Sequence, residues 1–224
     1  MVFKYTNFPF WGKIYVEFLK RGVPSVQKVI MTNNERQTIL IEFSREKLIN
    51  AIVFFLKKTK FCGKIKLFKL LYFLDFLHFK QTAKSVTGLR YYAWEMGPVP
   101  RDLFFELNNP GEDLAKCVYI PKETPANGLF NMKPRCNFDK KYFTRREIRL
   151  MEQLAYVFKN AKANDMSDVS HLPNMPWDKT IKTQGEKAEI DYFLAIDDQN
   201  DSLSLEEVKE RIEEMHEVKS LFGK

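Results

Sequence analysis

Between positions 64 and 80 the chain reads KIKLFKLLYFLDFLHFK, with apolar residues on nearly every side of a helical projection. A helix without a polar face belongs at the centre of a fold, so this segment is the predicted core element. The pattern before it is one-sided. Leu48, Ile49, Ile52, Phe55 and Leu56 recur at helical spacing after Ser44, which predicts a helix over Arg45–Lys58 with Ser44 as its cap. Cys62 and Gly63 break the two helices apart. Asp75 and His78 sit three apart on the central helix, a spacing that lets them pair.

Thr87-Gly88 turns the chain into LRYYAW, residues 89–94, an aromatic run predicted to be extended. Alternation there puts Tyr91 and Tyr92 on opposite faces, one for the core and one for contact. Gly97-Pro98-Val99 reads as backbone geometry, with Gly for close approach and Pro for rigidity. Pro100 opens a short helix to about Asn108, and Asn109-Pro110-Gly111 stops it. Residues 113–138 are predicted mostly irregular. Thr144 with Glu147 is a capping box for an amphipathic helix ending near 160. Asp165 or Ser167 then caps a short helix through His171, which Pro173, Pro176 and Trp177 end, and residues 186–195 form another short helix. Ser204 with Glu207 is a second capping box, opening a helix with Leu205, Val208, Ile212, Met215 and Val218 on one side.

These elements predict a mainly α fold: a compact helical domain with a few short β segments. Three regions follow from the pattern. Residues 1–43 are an extension in which 26–32 and 37–43 flank Asn33-Asn34-Glu35-Arg36 as a β-hairpin. Residues 44–196 are the helical domain, and 197–224 are an acidic linker and amphipathic helix. Met1 and Met31 are alternative translation starts.

Composition sharpens the picture at a few points. Twenty Phe among 224 residues supply a core and a docking surface. No segment has the run of about 18 apolar residues that spans a bilayer, and the amino terminus lacks the pattern of a signal peptide. Cys62, Cys117 and Cys136 form no CxxC pair, which argues against a zinc site or a disulfide framework and for a reducing cytoplasm. The net charge of +7 divides unevenly. From 197 onward there are nine acidic and four basic residues, a net of −5, which leaves +12 on residues 1–196. That division fits either a nucleic-acid or acidic partner, or charge balance within the molecule.

Motifs for chemistry are sparse. Asp75 with His78 has no nucleophile or third group nearby, so a structural hydrogen bond is the expectation over acid–base work. No phosphate loop and no metal-ligand spacing occur, so neither enzyme activity nor a cofactor is expected. The lysines at 57, 58, 60, 64, 66 and 69, interleaved with Phe61 and Phe68, raise nucleic-acid binding, set against the ordinary solvated face. His171 with Trp177 either lines a partner pocket or closes a helix end over the core. The last helix either lays Leu205, Val208, Ile212 and Met215 into a partner's groove or folds back on the basic body.

Lys69-Leu70-Leu71-Tyr72, Asp75, Phe79, Thr87-Gly88, Tyr92-Ala93-Trp94 and Gly97-Pro98-Val99, followed by Met166 to His171 and Pro176-Trp177, resemble the Panacea domain family. These are the SocA-like antitoxins, also known as phage-associated GepA-like proteins, and the resemblance runs over 44–195. It implies a mostly helical cytoplasmic antitoxin of a two-gene system, which binds and neutralises a cognate toxin protein. Operator DNA and a host protease, to which an adaptor would deliver the toxin, are the alternative partners; a membrane is not expected. The expected contact residues are Leu205, Val208, Ile212 and Met215, then Tyr92, Trp94, Gly97, Pro98 and Val99, with His171 and Trp177.

Overall fold

The structure, a computed structural model, describes residues 42–121 and 132–222. The chain divides into two units, and the described residues belong to the second, Leu40–Lys224. The hairpin expected before residue 43 lies outside them.

Helices dominate the architecture, as the pattern predicts. Ser44 caps α1 (Arg45–Lys58) by accepting from the Lys47 amide. The central helix is α2 (Lys64–Thr82), with Gly63 at its start and Ala83, in the left-handed region, at its end. Leu67, Leu70, Leu71, Tyr72 and Leu74 are all fully buried on it, because α1, the helices at 145–157 and 163–170, the strand at 97–99 and the turn at 192–195 surround it. Then come β1 (Tyr92–Trp94), β2 (Gly97–Val99), α3 (Arg101–Glu106) and α4 (Glu112–Cys117). Strands β3 (Val118–Tyr119) and β4 (Lys133–Pro134) precede α5 (Arg145–Val157), α6 (Ala163–Ser170), α7 (Pro176–Gln184) and α8 (Leu205–Phe222). Both capping boxes form. Glu147 and Thr144 exchange hydrogen bonds at α5, and Glu207 and Ser204 do so at α8.

Several expectations are corrected. Among the described residues of 113–138, expected mostly irregular, α4 and the antiparallel pair Val118↔Pro134, Tyr119↔Lys133 are regular, and 122–131 lie outside the described residues. The cysteines are not all unpaired. Cys117 and Cys136 are joined by a disulfide with Cα atoms 4.6 Å apart, brought together by amides of Arg135 and Cys136 that donate to the Cys117 carbonyl. A spacing of 19 residues hides this, because the strand pair folds one cysteine back onto the other. Pro176 does not end a helix but begins α7 at the first position, where proline lacks nothing the helix needs. Residues 186–195 give only a 3-10 turn at Tyr192–Ala195, since Lys187 and Ile190 donate to the Ala93 and Tyr91 carbonyls beside β1 instead.

Asp75 and His78 do not pair. The buried Asp75 carboxylate accepts from the Val86 and Thr87 amides and from the Thr87 and Tyr91 hydroxyls. Burial raises this carboxyl to about 6, and the four donors oppose the rise. His78 Nδ1 donates instead to the Lys84 carbonyl at 2.6 Å. Asp75 therefore ties the 86–91 segment to α2, and so sets where β1 begins.

Candidate functional site: an aromatic face around the β1–β2 turn

Strands β1 and β2 pair antiparallel with the register Tyr92↔Val99, Ala93↔Pro98, Trp94↔Gly97, leaving Glu95 and Met96 as the turn. Lys69, on the central helix, is buried and donates its Nζ to the Met96 carbonyl at 2.6 Å and the Pro98 carbonyl at 3.1 Å. Ser167 on α6 donates to the same Met96 carbonyl at 3.2 Å. Among the described residues no carboxylate pairs with Lys69, and burial lowers its amine to about 7. Gly97 has φ +98, and a Cβ there would lie under 3.0 Å from Lys69 Nζ, Ser170 Oγ and His171 Nε2. Only glycine lets α2, α6 and the hairpin approach this closely.

His171 terminates α6 and stacks on Trp177, with ring centroids 3.8 Å apart and planes at 16°. Trp177, held in the first turn of α7, donates its indole N–H to the Trp94 carbonyl at 3.0 Å. Burial, and the Lys69 amine beside it, hold His171 below the ordinary imidazole range. His171 Nε2 and the Tyr72 hydroxyl are the buried side-chain polar atoms without a hydrogen-bond partner among the described residues. Burial pushes the Tyr72 phenol far up.

Outside this rigid floor lies a ring of aromatic and thioether side chains. Trp94 and Phe104 meet edge to face at 5.0 Å, and Phe104 meets Phe105 at 5.5 Å. Met96 is 50% exposed and Phe105 58%. Trp94, Phe104 and Trp177 are half-buried. Tyr92 lies half-buried under the Arg101 guanidinium, 4.6 Å from the ring centroid.

The expected contact residues therefore separate. Tyr92, Trp94, His171 and Trp177 reach the surface, whereas Gly97, Pro98 and Val99 are buried and act through the backbone. On α8, Val208 and Ile212 are buried, Leu205 and Met215 half-buried. The linker before α8 is pinned by Lys80, whose amine pairs with Asp197 at 3.0 Å and Asp201 at 2.9 Å. The first half of α8 thus has its apolar side covered, and the exposed large apolar positions of this helix are Val218, Leu221 and Phe222.

The lysine run is dispersed by the fold. Lys66 is buried and donates to the Phe158 and Ala161 carbonyls just past the carboxyl end of α5, and to the Lys60 carbonyl between α1 and α2, each at 2.7 Å. With Lys69 and Phe68 also buried, the run is no continuous surface. Sequence reasoning missed Met96, Phe104, Phe105 and the inward role of Lys69. A lysine in the middle of an all-apolar helix was the available signal for the last of these.

Among the described residues no group of three or more His, Cys, Asp or Glu side chains could hold a metal ion, and no helix is long and apolar enough to cross a membrane. A family profile described as "Antitoxin SocA-like, Panacea domain" matches residues 67–178, half of the 224-residue chain. That span runs from the Lys69 anchor through the hairpin to Trp177. The chain belongs to this family of SocA-like, Panacea-domain antitoxins. No curated protein and no solved structure matches it.

Proposed function

We propose that this protein is a non-enzymatic antitoxin that neutralises a cognate toxin by binding it directly, with the face around Trp94, Met96, Phe105 and Trp177 as the contact. The observation that carries the reading is a solvent-facing aromatic cluster fixed from beneath by Lys69 within the family-matched span. Aromatic anchors on a rigid support lose little conformational freedom on binding, which is how a few residues come to dominate an interface. Met96 adds an unbranched, adaptable contact at the tip. Blocking a toxin by occlusion requires a stable complex, with about 1,200–2,000 Å² buried in total.

Co-expression with the product of the adjacent gene tests this. Growth rescue with a complex that co-purifies at moderate salt is the expected result. Rescue without a complex would favour repression through operator DNA or delivery to a protease, and absence of both toxicity and complex removes the antitoxin reading.

A further inference from the structure

The rim of the aromatic face is acidic. Glu95 lies in the β1–β2 turn between Trp94 and Met96, and it is exposed. Asp102 is 81% exposed on α3, three residues before Phe105 and so on the same side of that helix. Asp168 is exposed on α6, next to Ser167, whose hydroxyl reaches the Met96 carbonyl. Among the described residues no cation pairs with Glu95 or Asp168. Asp102 has only a 3.9 Å contact with Arg101, whose guanidinium is spread over Tyr92. Lys187, on the opposite edge of β1 from β2, follows Glu186, and Glu189 two residues on contacts Arg90 at 3.9 Å. The face thus presents exposed apolar anchors with three exposed carboxylates at its rim, of which Glu95 and Asp168 have no cation partner among the described residues, on a chain whose net charge is +7.

From this complementarity we infer that the face takes a cationic segment of the partner protein: lysine or arginine side chains reaching Glu95, Asp102 and Asp168, with an apolar residue seated against Met96, Trp94 and Phe105. The inference rests on the antitoxin reading and adds the chemistry of the toxin surface that is covered, a basic and apolar one. Carboxylates at a rim act mainly on partner choice and association rate, and screening by salt is their signature. Long cationic side chains also lay their methylene stems on aromatic faces while their heads find the carboxylates.

The test uses the full chain and a synthetic Lys/Leu amphipathic peptide, with a Glu/Leu peptide of the same length as its counterpart. Tryptophan fluorescence follows binding. The Lys/Leu peptide is expected to bind, to lose about tenfold in affinity or more between low and moderate salt, and to lose a similar factor in the E95K/D102K/D168K variant. A second variant, E210K/E213K/E214K on α8, is expected to keep wild-type affinity. Equal binding of the Glu/Leu peptide, no binding of either, or loss of affinity only in the α8 variant would overturn the inference. The adjacent-gene product separates this from the antitoxin reading itself. If wild type and the rim variant rescue growth and co-purify equally, the cationic segment is wrong and the antitoxin reading stands. If the rim responds to the Lys/Leu peptide as expected while no neutralisation occurs, the surface chemistry is supported and the antitoxin reading fails.

Discussion

The Lys69 amine donates to the Met96 carbonyl at 2.6 Å, so a buried amine on the central helix fixes the turn that carries the half-exposed Met96 side chain. A lysine in an apolar interior without a carboxylate is costly, and the cost is visible as an amine lowered to about 7. The same amine sets the local pH response.

The folded-state value of Lys69 lies below its ordinary 10.5, so the folded protein binds fewer protons there than the unfolded chain between pH 7 and 10.5. Its contribution to stability is therefore complete above that window and lost as pH falls through about 7. Urea unfolding at pH 7, 8 and 9 should show stability rising, by at most about 1.4 kcal/mol per pH unit from this group. Lys69→Met should flatten that rise. An unchanged slope in the variant would remove Lys69 as its source.

Asp75 runs the other way. Its folded value is raised to about 6, so its contribution is present below the unfolded value and lost as pH rises through about 6. Asp75→Ala leaves two buried amides and two hydroxyls without their acceptor, and should cost about 3 kcal/mol or more in a denaturant titration. Tyr91→Phe removes one donor and leaves the other three, so about 1 kcal/mol is expected. Equal losses would contradict the hub role of the carboxylate.

Two glycines with positive φ provide a matched comparison. Gly185, φ +86, has nothing within 4 Å of a built Cβ, so Gly185→Ala should cost only the backbone strain, about 1–2 kcal/mol. Gly97→Ala adds collisions with Lys69, Ser170 and His171, and should cost at least about 2 kcal/mol more. Thermal unfolding of the pair decides it, and similar midpoints would show that the hairpin floor can yield.

The Cys117–Cys136 bond closes a loop across a sequence separation of 19 residues. Reduction, or the Cys117→Ser/Cys136→Ser double variant, should lower stability by about 3 kcal/mol. Alkylation before and after reduction, read by mass spectrometry, checks the bond directly. Labelling of both cysteines in the unreduced protein would rule it out.

Much of this fold was legible because its signals are local. The apolar circumference of 64–80, Ser44, and the Thr144–Glu147 and Ser204–Glu207 boxes each specify an element from neighbouring residues alone. The site was less legible because it is assembled across distance. Lys69 reads as one more member of a basic run until the hairpin carbonyls are brought to it. Pro176 reads as a terminator until its place at the first turn of α7 is seen. Asp75 and His78 have the right spacing to pair, yet their partners come from 82–91, which no periodicity on α2 reveals. The acidic rim likewise gathers from a turn and two helices, so net charge by region points the other way.

Met96→Ser/Phe105→Ser strips the apolar contact from the exposed tip without adding charge, and so isolates its part in holding the toxin. Both side chains are at least half exposed, so thermal stability should stay within about 1 kcal/mol of wild type. Calorimetric titration against the adjacent-gene product should then show binding by the wild type and at least a hundredfold weaker binding for the variant, about 2.7 kcal/mol. Wild-type affinity in a folded variant would contradict the account and move the contact elsewhere on the molecule.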